Sequence, residues 1–288
     1  MKKLEQALAL IKSHLEENKI KEPSNAQEYI EKKHKLQDPS KGFVDFKLYD
    51  HQVSALKLFE KFQHVAIKKS RQVGATALLA SYATYYADTH PGSKIVVLTN
   101  NFLMSQHIKQ MVYNYLNPPS IIDDYYFPTD AEIIEKIGYA PERRVFHIDV
   151  GAITPDKVQE CIETIKKEIF NRKVDQNHQL VLDNESIIEF TNLTKDCFRG
   201  RYVDHNLIII DNLEYIAYSA IDDLSRCMNN TSKIIIAGNL KQYNLFGNLD
   251  WKIAYMPWYN MYGRNDAWRL EQIDHIGLER FQKEYELK

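Results

Sequence analysis

Four short runs of β-branched and aliphatic residues constrain this chain most: Val65-Ala66-Ile67, Ile95-Val96-Val97-Leu98, Leu207-Ile208-Ile209-Ile210 and Ile234-Ile235-Ile236. None alternates with polar residues. A strand with one wet face reads apolar, polar, apolar; a strand covered on both faces reads as an unbroken apolar run. These runs therefore predict a mostly parallel sheet flanked by helices. The segments between them agree, with helical patterns over Thr76 to Ala87, stopped by His90-Pro91-Gly92, and from about Met104 to Leu116, stopped by Pro118-Pro119. Strand, loop, helix, strand, helix is α/β order. In such sheets ligands bind beyond the carboxyl ends of the strands, so the residues just after each run are where chemistry is sought.

Upstream, Leu4, Ala7, Leu8, Ile11 and Leu15 stand at helical spacing among charges, with a break at Lys21-Glu22-Pro23. A second short helix is expected after Ser24 or Asn25, then a polar connector from Lys32 to Gly42. This divides the chain into an N-terminal helical segment, 1–42, and a main domain, 43–288, in which 120–179 reads as an insertion carrying one helix from Thr154 to about Arg172. Leu180-Val181-Leu182 and Ile187-Ile188-Glu189-Phe190 flank Asp183-Asn184-Glu185-Ser186 and predict a β-hairpin. Composition excludes several classes. The charge balance, 37 Lys plus Arg against 39 Asp plus Glu, leaves −2, so a globally basic nucleic-acid binder is excluded and a local basic patch is not. Cys161, Cys197 and Cys227 have no paired spacing, which argues against a disulfide framework or a zinc site. No stretch has the length of a spanning helix, and Met1-Lys2-Lys3-Leu4-Glu5 leads into no uncharged apolar segment of the secretory kind.

After the first run comes Lys69-Ser70-Arg71-Gln72-Val73-Gly74-Ala75-Thr76 and then a helix. A phosphate-binding loop needs inward-pointing backbone amides, a lysine on the terminal phosphates and a hydroxyl for Mg²⁺ at the helix start. Gly74 and Thr76 hold the sixth and eighth places of that pattern, but Ala75 stands where the lysine is expected. Lys69, first in the loop, offers a replacement, because a lysine acts as a point charge and matters by where its tip lands. Taken alone, the loop reads equally as an ordinary strand-to-helix turn with solvated Lys68, Lys69 and Arg71.

The run Leu207 to Ile210 ends in Asp211-Asn212. Nucleotide hydrolases with phosphate loops place an aspartate there to hold Mg²⁺ together with the loop hydroxyl, here Thr76. The following position is commonly a glutamate that polarises the attacking water. Asn212 cannot accept a proton, and Glu214, two residues on, could serve if the chain turns. The run Ile234 to Ile236 is followed by Ala237-Gly238-Asn239, small residues and an amide that suit either a place near the γ-phosphate or a plain Gly-Asn turn.

These sites, in this order, resemble the large terminase subunits of tailed bacteriophages, the ATPases that drive viral DNA into the capsid. Phe46-Lys47-Leu48-Tyr49-Asp50-His51-Gln52 is similar to that family's adenine-recognition segment, with Gln52 as the base contact. Ser70-Arg71-Gln72-Val73-Gly74 resembles its phosphate loop, or Walker A, in the spelling that opens on a lysine, which Lys69 would be. Phe198-Arg199-Gly200, Asp211 as the Walker B aspartate, and Ala237-Gly238-Asn239 as the coupling motif complete the core. Asn244-Leu245-Phe246, Met256-Pro257-Trp258, Trp268 and Arg280 to Tyr285 resemble the end of the family's ATPase region, so the likeness spans about 43–119 and 180–288. It departs at Ala75, at Asn212 and in the length of 120–179.

The resemblance implies a P-loop NTPase of the RecA-like (ASCE) kind, with ATP on Gln52 and the loop from Lys69 to Thr76, Mg²⁺ on Thr76 and Asp211, and Arg71, Asn212 and Glu214 around the γ-phosphate. It implies double-stranded viral DNA, the portal protein and the small terminase subunit as partners, and a homo-oligomeric ring at the procapsid portal vertex in the host cytoplasm, with no membrane. The family's nuclease domain is not expected within these residues. Two other readings stay open here: an assembly module weakened in catalysis by Asn212, and a helicase-like ATPase, which would need a second set of strands and helices after Asn239.

Overall fold

A computed structural model describes residues 23–38, 40–117, 173–176, 178–194, 203–228, 231–238 and 249–287. The helices expected over Leu4 to Leu15 and Thr154 to Arg172, together with Phe198-Arg199-Gly200, Asn239 and Asn244 to Phe246, lie outside these residues.

In chain order the elements are α1 (Ala26–Lys33), β1 (Lys35–Asp38), β2 (Gly42–Asp45), α2 (Asp50–Lys61), β3 (His64–Lys69), α3 (Ala75–Thr89), β4 (Lys94–Thr99) and α4 (Phe102–Leu116). They continue with β5 (Lys173–Gln176), β6 (Gln179–Val181), β7 (Ile187–Asn192), β8 (Leu207–Ile210), α5 (Tyr218–Cys227), β9 (Lys233–Gly238), β10 (Lys252–Met256), α6 (Asp266–Ile276) and α7 (Leu278–Glu284). Eight strands form one sheet in the order β10-β3-β9-β8-β4-β7-β6-β5. From β10 to β7 every pairing is parallel; β7, β6 and β5 are antiparallel, and β6–β7 is the predicted hairpin. This is the expected α/β fold, a mostly parallel sheet flanked by helices.

The unbroken apolar runs are explained by where alternate residues go. Val65, Ile67, Ile95, Val97, Leu207, Ile209 and Ile235 pack into one core with residues of α1, α2, α3 and α4. Their neighbours Ala66, Val96, Leu98, Ile208, Ile210, Ile234 and Ile236 pack into a second core with Ala220, Ile221 and Leu224 of α5. Strand period two thus feeds two dry faces, and each run must be apolar throughout. A third, smaller cluster joins Trp258 and Phe281 with Tyr285, and Trp268 packs against it.

The structure differs from the sequence reading at the N-terminal side. Lys32 to Gly42 is no plain connector: it holds the end of α1 and most of the β1–β2 hairpin. Ala26, Tyr29 and Ile30 already belong to the main core, so the packed body begins before residue 43. Asn25 caps α1 by accepting from the Glu28 amide at 2.9 Å. No helix among the described residues is long and apolar enough to cross a membrane.

Candidate functional site

Because β3, β9, β8 and β4 run parallel, their carboxyl ends open on one edge of the sheet, and β9 lies between β3 and β8. Adjacent strands are about 4.8 Å apart, so a side chain leaving β3 for the end of β8 has to pass the end of β9. Lys69, the last residue of β3, does this. Its Nζ lies 2.7 Å from Asp211 Oδ1 and 2.8 Å from Asn212 Oδ1. The residues it passes are the small Ala237 and Gly238, which close β9.

Asp211 is completely buried, and such a charge is tolerated only when paired and hydrogen-bonded. Its carboxylate accepts from Lys69, from Thr76 Oγ1 at 2.6 Å and from the Asn212 amide at 2.9 Å. Thr76 is the second residue of α3, and Gly74 sets its direction as the residue before the helix, in the left-handed region at φ 73°. The left-handed conformation favours glycine there, and a Cβ would come within 2.7 Å of the end of the Gln52 side chain at Nε2. Ala75, where a lysine was expected, is buried and packs in the main core.

After Asp211 the chain turns. Asn212 adopts φ 58°, a left-handed conformation that asparagine tolerates better than most residues, and Leu213–Tyr215 form a short 3₁₀ turn. The turn carries the Glu214 carboxylate over the end of β9, where a Cβ on Gly238 would sit 2.1 Å from Glu214 Oε2. Glu214 is therefore at the strand-end edge with Lys69 and Asp211, while Asn212 points its amide oxygen at Lys69.

The loop's outer half is turned elsewhere. Ser70 donates through its hydroxyl to the Tyr285 carbonyl at 2.5 Å and accepts from the Trp258 amide at 3.1 Å. The Arg71 amide donates to the Glu284 carbonyl at 2.9 Å, and its guanidinium pairs with the Glu284 carboxylate at 2.5 Å. That hydrogen bond raises the Arg71 pKa. Burial pushes the Glu284 carboxyl up, but hydrogen bonds from Arg280 and Arg71 outweigh it and leave it below the usual range. Arg71 is thus half-exposed, paired with Glu284 and not aimed at the Lys69–Asp211 cluster. Gln72 lies at φ 57° and accepts from the Tyr285 hydroxyl at 3.4 Å, and Val73 is buried.

Gln52, read from the resemblance as the base contact, is only 2% exposed. Its Oε1 accepts from the Tyr49 amide at 2.9 Å and its Nε2 donates to the Gly74 carbonyl at 3.1 Å, so both polar atoms serve the protein's own backbone. Its neighbour His51 lies 3.2 Å through Nε2 from the Val73 carbonyl, and burial lowers its pKa. Sequence reasoning missed His51, Arg264 and Glu284. The nearest signal was the i, i+4 pair Arg280–Glu284, whose second member also holds Arg71.

A hard divalent cation such as Mg²⁺ prefers oxygen donors and keeps part of its shell for water and phosphate. The buried Asp211 carboxylate facing the Thr76 hydroxyl fits that preference. Among the described residues no group of three or more His, Cys, Asp or Glu side chains forms a self-sufficient metal cage.

Comparison with known proteins tests the fold. The ATPase domain of the Thermus phage P74-26 large terminase is similar at 12% identity, covering 84% of this chain and 94% of that one with a TM-score of 0.51. The HK97 bacteriophage large terminase is similar at 11% identity, covering 93% of this chain and 55% of that one with a TM-score of 0.57. The large terminase of a thermophilic bacteriophage, solved in complex with ADP, is similar at 8% identity, covering 83% of this chain and 52% of that one with a TM-score of 0.50. The chain thus spans nearly all of the isolated ATPase domain and about half of the longer terminases. No curated protein matches it significantly in sequence. A family model described as bacteriophage T4-like portal protein (Gp20) matches residues 12–198. Its description and the fold name different proteins; the match ends before β8 and Asp211, so only the fold comparison spans both halves of the site. By sequence the chain belongs to the family described as bacteriophage T4-like portal protein (Gp20), and its fold is similar to that of the large-terminase ATPase domains.

Proposed function

We propose that this chain is the ATPase motor part of a viral large terminase and powers translocation of double-stranded DNA into a procapsid. One observation carries the reading: Lys69 and Thr76, from the two ends of the loop, converge on the buried Asp211 at the carboxyl edge of the sheet. A strand-to-helix turn with no ligand has no need to bury an ammonium, a hydroxyl and a carboxylate together.

In this reading ATP lays its phosphates along the loop between Gln72 and Thr76. Mg²⁺, held by Thr76 and Asp211, would neutralise charge building on the phosphates. Lys69, on a flexible stem, exchanges Asp211 for the phosphate oxygens and binds them as a point charge. Glu214 takes the proton of the attacking water, a task Asn212 cannot perform, and the turn at Asn212 is what brings Glu214 to the site. Gly238 lies against Glu214, so a shift of that carboxylate on hydrolysis is transmitted to Ala237 and Gly238 at the end of β9 and to Asn239 beyond them. Arg71 stabilises the γ-phosphate only after leaving Glu284.

A charge of −2 confines DNA contact to a local patch or to a surface shared around a ring of subunits. A portal protein and the small terminase subunit are the proposed partners, at the portal vertex in the host cytoplasm. Asn212 favours a second reading, a nucleotide-binding assembly module that scarcely turns ATP over. Phosphate release with and without double-stranded DNA separates the two. A motor shows DNA-stimulated release that weakens steeply with salt and is lost in Glu214→Gln. Release that is negligible with DNA and appears only in Asn212→Glu supports the assembly module.

A further inference from the structure

A peptide unit points its C=O and the following N–H in opposite directions. A loop that offers amides to a phosphate must therefore turn its carbonyls outward, and each outward carbonyl needs a donor. Four successive carbonyls of this loop have side-chain donors. Arg264 Nη1 reaches the Arg71 carbonyl at 3.3 Å and Nη2 the Gln72 carbonyl at 3.0 Å. His51 Nε2 is 3.2 Å from the Val73 carbonyl, and Gln52 Nε2 donates to the Gly74 carbonyl at 3.1 Å. The donors come from two places: His51 and Gln52 from the first turn of α2, and Arg264 from the segment before α6.

Arg264 is itself held. Its guanidinium lies 4.6 Å from the centre of the Trp268 ring, and Trp268 packs against the cluster of Trp258, Phe281 and Tyr285. Burial lowers its pKa, as expected for a cation taken partly out of water to serve two neutral carbonyls. An arginine placed only for solubility would not be spent on two adjacent backbone oxygens.

From this geometry we infer that Arg264 is a positioning residue for polyphosphate binding: it fixes the Arg71–Gln72 and Gln72–Val73 peptide units, so that the Gln72 and Val73 amides face the same way as those of Gly74 and Ala75, whose peptide units His51 and Gln52 hold. The inference rests on the ATP-site reading above and adds a specific claim to it. The C-terminal segment, through one guanidinium, sets the loop's affinity for the phosphates.

The test compares wild type, Arg264→Ala and Arg264→Lys for ATP affinity, with inorganic tripolyphosphate as a competing probe and thermal unfolding as the control. Arg264→Ala is expected to weaken ATP and tripolyphosphate together by roughly tenfold, because the two peptide units lose the guanidinium that orients them. The thermal midpoint should barely move, and millimolar guanidinium should restore much of the lost affinity. Arg264→Lys should remain impaired, because one ammonium does not span two carbonyls as a planar fork does. Unchanged affinity in Arg264→Ala overturns the inference, and so does a loss that comes with a lowered midpoint and no response to guanidinium. A wild type that binds neither ATP nor tripolyphosphate defeats the ATP-site reading itself, and the inference falls with it.

Discussion

At the inner end of the loop from Lys69 to Thr76 an ammonium and a carboxylate meet out of water, Lys69 against Asp211; at the outer end Arg71 meets Glu284 with its own side chain 52% exposed. Both are ion pairs of short length, yet they are built from different material. The inner pair joins the ends of two buried parallel strands, each held by neighbours on both sides. The outer pair joins a loop to α7, a seven-residue helix packed on a three-ring cluster. Distance alone does not distinguish them; solvent does. Charges that meet in water contribute little, whereas removing one member of a buried pair strands the other in low dielectric.

The contrast is open to measurement by urea denaturation. Asp211→Ala leaves Lys69 without its carboxylate and should cost about 3 kcal/mol, most of it recovered in Asp211→Ala/Lys69→Met. Arg71→Ala should cost less than about 1 kcal/mol. Equal losses at the two ends would break the comparison.

The glycines sharpen it. Gly238→Ala at the inner end drives a Cβ to 2.1 Å from Glu214 Oε2 and 2.9 Å from the Leu213 amide nitrogen, at φ 151°. Because backbone is involved, the expected loss is about 2 kcal/mol. Gly74→Ala, at φ 73°, meets at 2.7 Å only the end of the Gln52 side chain, which can move, and should cost about 1 kcal/mol. Reversal of that order would mean that the end of β9 is looser than its packing indicates.

A buried titratable group with no counter-charge makes the third point. His34 is 1% exposed, stacks on Tyr115 at 4.6 Å, and neither ring nitrogen has a hydrogen-bond partner. Burial, aided by the Lys33 charge, lowers its pKa from 6.5 to about 3. The unfolded chain therefore takes up a proton near pH 6.5 that the folded protein refuses until near pH 3. The stability due to His34 is full above pH 6.5 and is lost as pH falls through that window. His34→Phe should flatten the acid limb by up to about 1.4 kcal/mol per pH unit, read as denaturation midpoints across it. An acid limb of unchanged slope would contradict the assignment.

What could be read in the sequence follows the same division. The unbroken runs pointed to the two-faced sheet because strand burial leaves a local pattern, and Asp211 and Thr76 were visible because strand ends and helix starts mark themselves. The lysine at position 69 was identifiable by type, but that it crosses β9 to reach Asp211 depended on strand order, which spacing does not encode. Glu214 was a candidate in the sequence on condition that the chain turns, and the left-handed Asn212 supplies that turn. The outer end was almost silent: Arg264 belongs to no motif, and Glu284, although within the Arg280 to Tyr285 landmark, carried no sign of its contact with a loop about two hundred residues away. Gln52 shows the converse: its place in a recognisable segment suggested a base contact, while its buried amide is bonded to backbone at both atoms.

The most direct test of the account is phosphate release at saturating ATP, measured side by side for wild type, Lys69→Ala and Asp211→Ala. The account predicts turnover by the wild type and a loss of at least about 100-fold in both variants, the scale of removing a group that stabilises transition-state charge. A wild-type rate that survives in both variants would contradict it, because the cluster at the carboxyl edge of the sheet would then have no part in the chemistry.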